Sequence, residues 1–143
     1  MERFYSTLIS LNVGDRVVVP KSSIRWVQHH AIYLGFQNGF FLFIENKEGH
    51  GVRVVTAEEF FNGVFEITRV ERFVPKWNYS RDDLYNYALS RRGAAYHLTN
   101  YNCEHFANEV QHRIVTSQQA RIGVGVGLFC LGILLVAAFG NGK

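Results

Sequence analysis

Cysteine is nearly absent from this chain. Its 143 residues hold two, Cys103 and Cys130. That number excludes a disulfide framework and points to a reducing compartment. Long basic runs are missing as well. The net charge is only +3, and Arg91-Arg92 is the one adjacent basic pair, so no nucleic-acid stripe is present and no nucleic-acid partner is expected. A weak attraction to an anionic membrane surface is a better use of so small a surplus. The opening MERFYSTLIS carries an early acid and no long apolar core, so a secretory signal is not expected. There is no internal repeat and no low-complexity linker. Neither a second cysteine pair nor a His-x-x-x-His spacing accompanies Cys103-Glu-His105, so no metal or other cofactor is expected.

What remains is apolar and aromatic. Hydrophobic residues make up 48% of the chain and charged residues 19%, a balance that argues for one compact domain and against disorder. The last apolar stretch is a special case. Residues 122–139, IGVGVGLFCLGILLVAAF, run for eighteen residues without a charge, between Arg121 and Lys143. At about 1.5 Å per residue they span about 27 Å as a helix, near the lower limit for a bilayer. The competing reading is a buried helix, which at this length would show a polar face. Glycines 123, 125, 127 and 132 weaken a helix in water but are common in membrane spans. The expectation is a domain over 1–117 and a single-pass membrane anchor over 118–143, with the domain on the cytoplasmic side. Cys130 is then a small lipid-facing residue. For Trp26 and Trp77 ordinary packing is expected.

Strand signals fill the first half. Val13–Val19 is valine-rich and stops at Pro20, His29–Leu34 stops at Gly35, and Phe40–Glu45 follows an Asn38-Gly39 hairpin signal. Residues 52–55 and 64–70 are further strands. The aromatic run Phe40, Phe41 and Phe43 reads as core. Helices follow: Thr56 with Glu59 three residues on, and Ser80 with Asp83, are helix starts, the second helix ending by Gly93. A last helix begins at Asn102, with Phe106, Ala107, Val110 and Ile114 on one face. Strands first and helices after predict an α+β fold, an antiparallel sheet packed against helices.

If Asn102 caps that helix, Cys103 occupies its first turn, where unpaired N–H groups and the helix dipole favour a thiolate. An ordinary thiol is only about 3% ionised at neutral pH. A helix-start cysteine is a weak signal until a base is found, because buried free cysteines are common. His105 is two residues on and points about 200° away, which makes it a solvent-facing or supporting residue. His112 is too far along the helix, His97 needs the loop to fold back, and His50 lies in a polar turn. His29 and His30 remain. Strand alternation places His29 with Ala31 and Tyr33 on one face and His30 with Ile32 and Leu34 on the other, and the pattern does not choose between them.

HHAIYLG (29–35), followed far downstream by NCEHF (102–106) and then Asn108-Glu109, resembles the two motifs of the lecithin:retinol acyltransferase-like family. The likeness is to its phospholipase A/acyltransferase (HRAS-like suppressor) branch, and it runs over roughly residues 12–139. The resemblance implies a circularly permuted NlpC-type papain-like fold with the histidine before the cysteine. It also implies that Cys103 is a nucleophile toward glycerophospholipid esters and that His29 is its base and later its acid. Water as acceptor would give phospholipase A activity, and an amine would give N-acyl transfer. His30 stands where the family has an aromatic residue and takes no part. One position departs from the pattern. The family's second histidine, which orients the first, falls here on Phe43, which cannot accept a hydrogen bond. Glu45 on the same strand face, His50 or a backbone carbonyl are the substitutes. Similar motif pairs occur in picornavirus H-box/NC proteins, so a second expectation is a non-catalytic protein acting by membrane or protein binding. The general fold also allows a cysteine peptidase or amidase.

Overall fold

A computed structural model describes residues 2–21 and 27–118. Helix α1 (Glu2–Leu8) precedes strands β1 (Arg16–Pro20), β2 (Gln28–Gln37), β3 (Phe40–Lys47) and β4 (Gly51–Thr56). A single turn, α2 (Ala57–Phe60), a short β5 (Arg69–Glu71), and helices α3 (Arg81–Ser90) and α4 (Cys103–His112) complete the described chain. The five strands form one antiparallel sheet in the order β4-β3-β2-β1-β5. The protein is therefore α+β, with helices packed on a meandering antiparallel sheet.

Alternation along β2 divides the core in two. Ala31 and Tyr33 join Phe43, Val55 and the α1–α2 residues Phe4, Leu8, Phe60 and Phe61 on one face. Ile32, Leu34 and Ile44 join Leu84, Ala88, Phe106, Ala107 and Val110 of α3 and α4 on the other. The Asn38-Gly39 turn has positive φ at both residues, 52° and 86°, the backbone that a two-residue hairpin needs. Gly51 also has φ of 70°, and a Cβ there would lie 2.4 Å from the Ala94 carbonyl oxygen. Only glycine lets β4 approach the loop that leads into α4.

The helix starts fall where the sequence places them. Thr56 accepts from Glu59 N–H, and Ser80 forms a reciprocal box with Asp83. Four expectations need correction. Residues 64–68 are not strand, because β1 pairs β5 only as far as Val18↔Arg69. Pro20, which ends β1, has no N–H to carry the ladder further. Residues 13–15 also stay outside β1, in a turn closed by Asn12 N–H donating to Asp15 Oδ2 at 2.9 Å. Ile114 is not on the α4 face. The helix ends at Arg113, held at φ 61° with its guanidinium 3.7 Å from the centre of the Tyr87 ring, and Ile114 is exposed. Phe40 and Trp77 are exposed rather than packed, Trp77 completely. Residues 122–139, Cys130 and Trp26 lie outside the described residues. Among the described residues no helix is long and apolar enough to cross a membrane.

Candidate active site around Cys103 and His29

Asn102 begins α4. Its side-chain oxygen accepts from Glu104 N–H at 3.0 Å and His105 N–H at 3.1 Å, satisfying two of the helix's unpaired donors. The box is closed by an unusual partner: His105 Nδ1 accepts from Asn102 N–H at 3.2 Å. His105 is thus buried in the cap, not solvent-facing, and burial lowers its pKa. It holds the helix start and does not reach around to the thiol. Two further contacts fix this cap. Asn46 Nδ2 donates to the Tyr101 carbonyl at 2.7 Å, and Asn102 Nδ2 donates to the Leu98 carbonyl at 3.0 Å.

Cys103 follows in the first turn, a free and buried thiol. Its Sγ lies 3.5 Å from the carbonyl oxygen of Gln28, the first residue of β2. Gln28 directly precedes His29, and the neighbouring Cys103 is one of the groups that raise the His29 pKa. The face ambiguity of the His-His pair is therefore resolved by where α4 begins. His30 faces the body of α4, whereas the thiol meets β2 at its very start, beside His29.

His29 Nε2 bonds Glu45 Oε2 at 2.6 Å. Glu45 is almost wholly buried, and its other oxygen accepts from Arg53 Nε at 3.0 Å and Nη2 at 2.8 Å. Arg53 in turn pairs with Glu59 at 2.7 Å. The result is a line of polar groups, Cys103–His29–Glu45–Arg53–Glu59, crossing from α4 over three strands to α2. Burial opposes charge on His29, but bonds to Cys103 and Glu45 raise its pKa from 6.5 to about 9. Burial likewise opposes charge on Glu45, yet His29 and Arg53 hold its pKa below the usual value. Phe43 does not touch this line as a polar group. It stacks on Phe60 with ring centres 5.0 Å apart, and Phe60 stands 5.9 Å from the His29 ring. Phe43 thus backs the apolar wall on one side of the imidazole. Of the three candidate substitutes, Glu45 bonds His29 in the structure; His50 is exposed and bonds Glu48 O at 3.2 Å.

His30 is a different kind of histidine. It is buried, and its Nδ1 accepts from Arg16 Nε at 2.8 Å. Burial and the neighbouring Arg16 charge push its pKa down to about 2, so near neutral pH it is a neutral acceptor. Arg16 continues to Asn108 Oδ1 at 2.7 Å, tying β1 to α4.

His97 is exposed in the 97–101 turn, and His112 is exposed at the end of α4. Among the described residues no group of three His, Cys, Asp or Glu side chains could hold a metal ion. A surface cavity of about 760 Å³, lined by Tyr79, Tyr87, His112 and Arg113 among others, lies at the far end of α4 and includes neither Cys103 nor His29.

Sequence reasoning missed Arg53, Asn46 and Ser117. Arg53 had a signal, since β4 pairs it directly with Glu45. The other two depend on where the α4 cap docks, which strand alternation does not reveal.

No family model matches this chain, and no curated protein matches it.

Proposed function

We propose that this chain is a membrane-anchored thiol acyltransferase or phospholipase A acting on glycerophospholipids, in a permuted papain-like domain. The observation that carries this reading is the placement of Cys103 at the start of β2, beside His29, whose Nε2 bonds the buried Glu45. A thiol at a helix N-terminus, an imidazole and a buried carboxylate in that order form the arrangement that acyl transfer uses. Residues 122–139 would hold the site beside its substrate as a single-pass anchor, with the domain on the cytoplasmic side.

The chemistry follows from the proton positions. With its pKa at about 9, His29 holds a proton at neutral pH, and Glu45 holds the ring in one orientation. Cys103, its proton held by His29, attacks the ester carbonyl carbon as the thiolate, forming the S–C bond and pushing charge onto the carbonyl oxygen. The N–H of Cys103 is not used by the Asn102 cap, which takes those of Glu104 and His105; it is a ready donor to that oxygen. The ester C–O bond then breaks and the lysophospholipid oxygen leaves with the proton from His29. An acyl-thioester remains. Water or an amine attacks it and gives its proton to His29, the C–S bond breaks, and a fatty acid or an N-acyl product is released with the Cys103 thiolate and the protonated His29 restored.

The test uses the full chain reconstituted in vesicles of phosphatidylcholine labelled in its acyl chains. The reading expects label released or transferred, and label trapped on the protein in a hydroxylamine-sensitive bond. Both should vanish in Cys103→Ala. Absence of both in the unaltered chain overturns the reading. The binding-only alternative has Phe43 as its main support, and the Glu45 bond to His29 favours the catalytic reading over it.

A further inference from the structure

The segment after α4 turns back on itself. The left-handed Arg113 reverses the chain. Asn108 Nδ2 then donates to the Thr116 carbonyl at 2.6 Å. One residue later, Ser117 Oγ donates to Glu104 Oε2 at 2.6 Å and accepts from Asn102 Nδ2 at 3.3 Å. Residues 113–117 therefore run antiparallel to α4 and return to its N-terminal end, to the two residues that flank Cys103. Only residues 118–121 separate Ser117 from the apolar run at Ile122. Those five Cα steps reach at most about 17 to 18 Å. The tether to the apolar run therefore begins at the end of the domain that holds the thiol.

That end also carries exposed apolar side chains. Val27 is 42% exposed and Leu98 67% exposed. Val27 precedes Gln28, whose carbonyl touches Cys103 Sγ, and the Leu98 carbonyl is bound by Asn102. Both residues thus lie on the segments that contact Cys103 and its cap residue Asn102. Lys21 is there too, with its Nζ over Tyr96, but it is paired with Glu48, so charge is not part of the argument. The opposite end of α4 carries Trp77, in the turn closed by Lys76 and Tyr79, where Tyr79 Oη donates to the Val110 carbonyl.

We propose that the end of the domain bearing Val27 and Leu98 lies on the phospholipid bilayer, with Cys103 opening directly onto it and Trp77 on the side turned to water. This placement rests on residues 122–139 being the membrane anchor, as proposed above. It gives the substrate a short route, since a lipid has to rise only a little from the surface to meet the thiol.

The full chain, reconstituted in phosphatidylcholine vesicles containing a nitroxide-labelled phosphatidylcholine, tests it through single tryptophans. Trp26→Phe leaves Trp77 alone. Adding Trp77→Phe with Leu98→Trp, or with Val27→Trp, places the only indole on the proposed face. Both host positions are exposed, so the indole has room. The expected result is quenching of about two-fold for the indoles at 98 and 27, with that of Trp77 unchanged. Equal or stronger quenching of Trp77 overturns the placement. So does an absence of quenching at 98 and 27 in chains that float with the vesicles, a result that leaves the anchor standing. Failure of the chains to float removes the anchor, and the placement falls with it.

Discussion

Glu45 and His29 meet across neighbouring strands, the Glu45 carboxylate accepting from His29 Nε2 at 2.6 Å. The next residue along β3 points to the other face, where Asn46 donates to the Tyr101 carbonyl just ahead of the helix bearing Cys103. Two adjacent residues of one strand thus hold both partners of the proposed reaction, the imidazole on one side of the sheet and the thiol's helix on the other. Because successive strand side chains point oppositely, neither could move without disturbing the other.

The first prediction concerns Glu45. Replacing it by alanine leaves His29 Nε2 without its partner and removes the acceptor of Arg53 Nε and Nη2, and the ring can then turn or change tautomer. Activity in the vesicle assay should fall by about 10²- to 10⁴-fold, judged from comparable triads. The loss should appear in kcat far more than in KM, because Glu45 does not touch substrate. A Glu45→Ala chain with unchanged kcat would remove Glu45 from the mechanism.

Protonation of His29 sets the second. With a pKa raised to about 9, kcat/KM should hold through neutral pH and fall as pH rises past about 9, where the donor to the leaving group is lost. Glu45→Gln removes one of the two bonds that raise that pKa, so the alkaline limb should move to lower pH. Stability follows the same sign. A folded-state pKa above 6.5 gives stabilisation that is complete below about 6.5 and is lost as pH rises through about 9. Glu45, held below its ordinary value, contributes above that value and loses its contribution in acid. A pH–rate profile with denaturation at several pH values checks both.

Arg53 gives the third. It donates twice to Glu45 Oε1 at 2.8–3.0 Å, and Arg53→Met keeps its stem while removing both donors. A buried carboxylate oxygen then has no partner, a loss of about 2 kcal/mol in chemical denaturation. Activity should fall less than in Glu45→Ala, since the His29 contact survives. An unaltered denaturation midpoint would show that Glu45 does not need its guanidinium.

The cap at Asn102 yields the fourth. Its side chain accepts from two N–H groups and donates to Leu98 and Ser117. Asn102→Ala should lower stability by about 1–2 kcal/mol and slow alkylation of Cys103 by iodoacetamide, because the first turn loses its fixed geometry. Ser117→Ala, which spares the backbone cap but cuts the link to Glu104 and Asn102, should slow it less. Equal rates in all three chains would detach thiol reactivity from the cap.

Local signals carried most of the framework, and contacts between distant segments carried the rest. Asn38-Gly39, Ser80 with Asp83, and Asn102 act within a few residues, so the hairpin, α3 and the start of α4 were legible. Residues 64–68 and Ile114 misled because valine and isoleucine spacing does not reveal that Pro20 ends a neighbouring strand or that Arg113 can stack on Tyr87. His29 and His30 could not be told apart by alternation. The choice depends on α4 beginning at the start of β2, a contact 75 residues apart in sequence. Glu45 was one of three candidates for the orienting role; its bond to His29 and its clamp by Arg53 are what favour it in space.

The last prediction is for Phe43, the position where the resembled family carries a histidine. Restoring that histidine is not expected to repair the site. Phe43 is completely buried and packs against Phe60, Phe61 and Tyr33. Phe43→His would place a polar ring among these aromatics, leave part of the phenyl volume empty, and press on Phe60, which flanks His29. About 2–4 kcal/mol of stability should be lost. Glu45 already occupies His29 Nε2, so a second acceptor has no free proton to take, and turnover should fall or stay level. Thermal denaturation and the vesicle assay decide. A variant as stable as the unaltered chain and several-fold faster would mean that the Glu45 contact is a poor substitute for the missing histidine.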